Sequence, residues 1–102
     1  MRRGTTPTLT LKVTGADLSD STFFVTIEQD ETEIDIKNPA CETTETGCEI
    51  TVILTQEQTL QLRSGRAQIQ IRWIDAQGTA SATPIKSIDI GKILKEGEIS
   101  YE

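Results

Sequence analysis

Apolar and polar residues alternate with period two along most of the chain, the spacing that puts every second side chain on one face of a strand. Leu9, Leu11 and Val13 alternate with Thr8, Thr10 and Lys12 as far as Gly15, and Phe23, Val25 and Ile27 alternate with Phe24, Thr26 and Glu28. Each run predicts a strand with one buried face. Ile34 and Ile36, set among Glu33, Asp35 and Lys37, predict a short strand stopped by Asn38-Pro39. Its charge places it at a sheet edge, where it discourages pairing with another chain. Cys48, Ile50, Val52 and Leu54 alternate with Glu49, Thr51, Ile53 and Thr55. Ala67, Ile69, Ile71 and Trp73, opposed by Gln68, Gln70, Arg72 and Ile74, predict the longest strand and a central place for it. After the turn Asp75-Ala76-Gln77-Gly78, residues Thr79 to Thr83 predict a paired strand ended by Pro84, with Trp73 packing over its alanines. Ile85, Ile88 and Ile90 predict a last strand, with a bulge where strict alternation fails between Ile85 and Ile88.

One segment departs from period two. Thr55 followed three residues later by Gln58, then Leu60 and Leu62 with Gly65 closing, predicts a capped helical turn. Six or seven short strands with turn signals between them predict an all-β, immunoglobulin-like two-sheet sandwich of about seven strands with one short helical turn. An open barrel is the alternative. The 102 residues suffice for one domain, with residues 1–7 as an extended arm and 91–102 as a carboxyl tail on the domain or on a neighbour.

Charge narrows the partners. Sixteen acidic residues against ten basic give a net charge of −6, which repels phosphate backbones and anionic lipid, so neither nucleic acid nor membrane is expected as a partner. Arg2-Arg3 is the one basic cluster, either a solvated terminus or a docking arm. The chain has no apolar run long enough to span a bilayer, and Met-Arg-Arg-Gly-Thr-Thr-Pro lacks the apolar stretch of a secretory signal, so a cytoplasmic origin is expected.

Catalytic chemistry finds little support. Histidine is absent, which removes the commonest general base and transition-metal ligand, and the glycines are scattered over turns with no phosphate-binding spacing. Asp30, Glu31, Glu33 and Asp35 lack the spacing of a calcium loop, and four aromatic residues are few for a sugar-cleaving cleft. No enzyme activity, cofactor or metal is therefore expected. Cys41 and Cys48 flank the turn segment from Glu42 to Gly47, and a hairpin could set them opposite one another as a disulfide. Two free thiols in a reducing compartment are the default, and a zinc site lacks two further ligands.

The apolar residues on the wrong face carry more information. Phe24, Ile53 and Ile74 each oppose the main apolar row of their strand, either as single surface residues or as a contact patch. Ile93, Leu94, Ile99 and Tyr101 make the tail too apolar to be free. Arg2, Arg3, Phe24, Ile53, Ile74, Ile99 and Tyr101 are accordingly the candidate protein-contact residues.

Four stretches, Arg2-Arg3-Gly4-Thr5-Thr6-Pro7-Thr8, Val25-Thr26-Ile27-Glu28-Gln29, Leu54-Thr55-Gln56-Glu57-Gln58-Thr59 and Ile71-Arg72-Trp73-Ile74-Asp75-Ala76-Gln77-Gly78, resemble small tail-region proteins of bacteriophages and prophages of Gram-positive bacteria. Those proteins are similar in strand pattern to the amino-terminal β-sandwich domain of the phage baseplate upper protein, which helps attach receptor-binding parts to the tail. The resemblance implies a structural or adaptor protein of a tail tip, oligomeric, made in the bacterial host cytoplasm and carried in the virion tail. That amino-terminal domain normally continues into long helical or fibre segments that this sequence lacks, and no ligand residues carry over. An inhibitor of a host defence protein is the alternative. It is disfavoured because Lys12, Lys37, Arg63, Arg66 and Arg72 interrupt the carboxylates, and adhesion to carbohydrate is disfavoured by the scarcity of aromatic platforms.

Overall fold

A computed structural model describes residues 1–101 and contains eight strands and one helix. The strands are β1 (Thr8–Thr14), β2 (Thr22–Gln29), β3 (Thr32–Lys37), β4 (Ala40–Thr43), β5 (Gly47–Ile53), β6 (Gly65–Ile74), β7 (Ala80–Ala82) and β8 (Lys86–Ile90), and the helix α1 spans Gln56–Leu60. They form the expected all-β two-sheet sandwich. The narrow sheet has the order β1-β5-β4, and the wide sheet has β3-β2-β6-β7 with β8 also on β6. All strand pairs are antiparallel.

The inward rows build one core. Val13 from β1, Phe23, Val25 and Ile27 from β2, Ile34 from β3, Ile50 and Val52 from β5, and Ala67, Ile69 and Ile71 from β6 are all buried, joined by Leu18, Leu54 and Leu62 from the connections. The thin axis of the molecule is 20 Å, the thickness of two sheets about 10 Å apart with their outer side chains. β3 lies at a sheet edge and the ten-residue β6 is central, as their sequences predict. Thr55 caps α1 in a full capping box, its side chain accepting from Gln58 N–H while the Gln58 side chain accepts from Thr55 N–H.

Three expectations are corrected. β4 is an additional strand: Ala40–Thr43 has no apolar alternation and is held by its pairing with β5. Trp73 lies opposite Ser81, while Ala80 and Ala82 face Ile74 and Arg72, so the alanines belong to the other face of the sheet. Ile85 lies outside β8 and is exposed, and the extra residue falls earlier than expected: Thr83 bonds to Ile71 while Lys86 lies opposite Ile69, so Pro84 and Ile85 together oppose Gln70 before β8 begins. Residues 1–7, expected as an extended arm, run beside the end of β8. Arg2 bridges Gly91 in parallel, and Met1 and Arg3 exchange backbone hydrogen bonds with Gly91.

Two buried polar side chains lock the connections. Gln29 continues the inward row of β2, where its amide copies a strand neighbour: Nε2 donates to Arg63 C=O (2.8 Å) and Oε1 accepts from Arg63 N–H (2.6 Å). Thr59 of α1 donates to Thr5 C=O (2.8 Å). Asp30 begins the β2–β3 turn with φ 53°, a left-handed conformation that aspartate tolerates better than most residues, and its carboxylate pairs with Arg63. Gly47 has no room for a side chain, because a Cβ would collide with the carbonyl of Val13 on the paired strand.

Leu54→Ala is expected to lower the unfolding free energy by about 2–5 kcal/mol, because its fully buried side chain would leave a cavity; urea titration followed by circular dichroism measures it. Gln29→Ala is expected to cost about 1–3 kcal/mol by the same measurement, since it strands the backbone groups of Arg63.

Candidate functional site

The candidate contact residues fall into three places. Phe24 and Ile74 come together on the outer face of the wide sheet, Ile53 stands alone on the outer face of the narrow sheet, and Arg2, Arg3, Ile99 and Tyr101 lie along the seam where both termini meet α1.

The register explains the first grouping. Phe24 lies opposite Arg72, and Thr22 opposite Ile74, so the two apolar side chains are diagonal neighbours on one face. Phe24 is 39% and Ile74 45% exposed, enough to present their tips while their bases pack on the sheet. With Thr22, Arg72 and Ala80 they line one end of a shallow concavity of about 550 Å³. Its other end is acidic: Glu28, Glu33 and Asp35 are cross-strand neighbours there, and Thr26 donates to Asp35 (2.6 Å). The Glu33 carboxyl is held above its ordinary value by a hydrogen bond with Asp35, the charge of Asp35, partial burial and the charge of Glu28. The face therefore suits an apolar group at the Phe24–Ile74 end and a cationic group at the other. Ile53 is flanked on its face by Thr8, Thr10, Thr51 and Ala40, the disposition of a solitary surface residue.

Arg2, Arg3 and the backbone of Ile99 make hydrogen bonds within the domain. The Arg3 guanidinium donates to the carbonyls of Leu60 (3.2 Å) and Leu62 at the end of α1 and forms an ion pair with Glu96 (2.6 Å). Arg2 donates to Lys92 C=O (2.7 Å). Gln56 fixes the tail by donating to Ile99 C=O (2.9 Å) and accepting from Ile99 N–H (3.0 Å). Ile99 and Tyr101 stay exposed beyond these ties. Charge and spacing in the sequence carry no sign of this closure, because its partners are mostly backbone carbonyls.

Cys41 and Cys48 are free thiols. β4 and β5 pair Thr43 with Cys48 and Cys41 with Ile50, so the cysteines are diagonal and not directly opposite. The Asp17 carboxylate joins them, the three ligand-type atoms lying within 4.8 Å of one another. Asp17 already accepts from Ser19 N–H (3.0 Å) and the Thr43 hydroxyl (2.8 Å), which hold its carboxyl below the ordinary value. Burial, together with Cys48 and the charge of Asp17, pushes the Cys41 thiol up to about 11. Cys41 is therefore held as the protonated thiol in preference to the thiolate that reactivity needs.

No protein-family model, curated protein or solved structure matches the chain. Among the described residues no helix is long and apolar enough to cross a membrane.

Native Cys41 is expected to react with iodoacetamide at pH 8 about a hundredfold more slowly than the same thiol in urea, following its smaller thiolate fraction. Because its folded pKa lies above the unfolded value of 9.0, the associated stability is complete below pH 9 and is lost as pH rises through about 11. Alkylation time courses read by mass spectrometry, and melting temperatures across that range, check both.

Proposed function

We propose that this chain is a non-catalytic adaptor that acts by protein-protein contact through the outer face of its wide sheet, as a structural component of a phage tail tip or baseplate. The observation that carries the reading is the pairing of Phe24 with Ile74. Two large apolar side chains adjoin on the solvent face of regular strands, at positions where the core gains nothing from them. Such exposure persists where a partner covers it. The acidic row beside them adds orientation, since a partner must bring a basic group to Glu28, Glu33 and Asp35. The phage setting rests on the four sequence stretches that resemble tail-region proteins. Tail tips are built from repeated copies, so the chain acts as a homo-oligomer, each contact burying about 800 Å² per partner.

Light scattering over a range of concentrations, with and without reductant, tests this. The wild-type chain is expected to form a stable ring-sized oligomer insensitive to reductant. The double variant Phe24→Glu, Ile74→Glu is expected to be a monomer that melts with unchanged cooperativity, its association weakened by at least about 2 kcal/mol. A monomeric wild type, or a variant that still assembles, would overturn the reading.

A further inference from the structure

The two sheets differ in width by one strand position. β7 and β8 both lie on the same side of β6, β7 along residues 72–74 and β8 along 65–69, so they occupy one column of the wide sheet. The wide sheet therefore has four columns, formed by β3, β2, β6 and the β7/β8 pair, against three in the narrow sheet. The fourth column is covered at Ile90 but open where β7 meets β8. There a groove of about 840 Å³ runs between the free edge of β1 and the β7–β8 junction, floored by Ile69, Ile71 and Trp73.

Three observations describe what fits it. First, the edge offers hydrogen bonds. Leu54 N–H donates to Pro7 C=O (3.1 Å) and Gly15 N–H to Thr46 C=O (2.7 Å), a phase in which the odd-numbered residues of β1 bond to β5. The backbone N–H and C=O groups of Thr8, Thr10, Lys12 and Thr14 consequently point into the groove side. Second, the inward side chains beside it are incompletely covered: Leu9 and Leu11 are only half-buried, and Lys86, opposite Ile69 at an inward-facing register position, is exposed. Third, the only charges lining the groove are those of Lys12 and Lys86, in a chain of net charge −6.

We propose that the free edge of β1 takes up one extended segment of another protein, with alternate apolar side chains and acidic residues between them, as the fourth strand of the narrow sheet. Main-chain hydrogen bonds to Thr8, Thr10, Lys12 and Thr14 supply affinity, the apolar side chains of the segment complete the core over Ile69, Ile71 and Trp73, and the two lysines select acidic flanks. The occupant is not β1 of a second copy. Pairing β1 to β1 about a twofold axis would bring the fourth column of each wide sheet onto the β6 column of the other. This surface shares Gln70 and Trp73 with the concavity of the Phe24–Ile74 face and is otherwise lined by different residues.

The sole tryptophan lies in the groove and reports on it. A capped seven-residue peptide of alternating valine and glutamate, titrated into the intact chain, is expected to blue-shift Trp73 emission saturably. The same peptide with its pairing amides N-methylated is expected not to bind, and an alternating valine-lysine peptide to bind about three- to tenfold more weakly. Thr10→Pro, which removes an N–H that makes no bond within the chain, is expected to keep the fold and lose the peptide. Absence of saturable binding by the valine-glutamate peptide, equal binding of the N-methylated one, or a dimer of the free chain that Thr10→Pro dissolves would each overturn the proposal.

Discussion

The structure depends on the double pairing of β6. One edge of this strand is taken by β2 along nearly its whole length, and the other is shared by β7 and β8. Ala67, Ile69 and Ile71 thereby lie at the middle of the wide sheet, where they meet the inward rows of β1 and β5. β6 is the one strand with partners on both edges in the wide sheet besides β2, and it alone pairs with three other strands. The same pairing makes the wide sheet wider than its partner, and the features that distinguish this sandwich follow from the mismatch. The narrow sheet ends at β1 with half-covered leucines, while the junction of β7 and β8, from Ala82 to Lys86, lies beneath open space.

The sheet faces divide the protein's surface chemistry. The outer side of the narrow sheet is largely threonine and glutamate and binds water. The outer side of the wide sheet has an apolar end and an acidic end within one concavity. The termini, which a sequence of this charge offers as natural contact points, are instead tied to α1 and to the end of β8 by Arg3, Gln56 and the backbone of Gly91. The molecule is elongated, with a long axis of 46 Å and a radius of gyration of 14.8 Å, above the roughly 13 Å of a compact chain this size.

Period two makes most of this legible in the sequence. The rows Phe23-Val25-Ile27 and Ala67-Ile69-Ile71 identify buried faces, and their neighbours Phe24 and Ile74 are identified with them as outward apolar residues. Gln29 was also readable, since a polar residue that continues an inward row must find buried partners. β4 was not, because Ala-Cys-Glu-Thr has no pattern of its own and becomes a strand only through β5. The hold on the amino-terminal segment is not legible for a similar reason: Arg3 has no visible partner in the sequence until the fold places the carbonyls of Leu60 and Leu62 beside it. The groove beside β1 was invisible as well, since alternation reports which side of a strand is buried and says nothing of which edge is paired.

The unequal width of the sheets is tested most directly by amide hydrogen exchange resolved along β1. The account predicts alternation: slow exchange at Leu9, Leu11 and Val13, whose N–H groups bond to β5, and fast exchange at Thr10, Lys12 and Thr14, whose groups face the open edge. Uniform protection along the strand in the free monomer would mean that another part of the chain covers this edge, and would contradict the three-against-four arrangement on which the account rests.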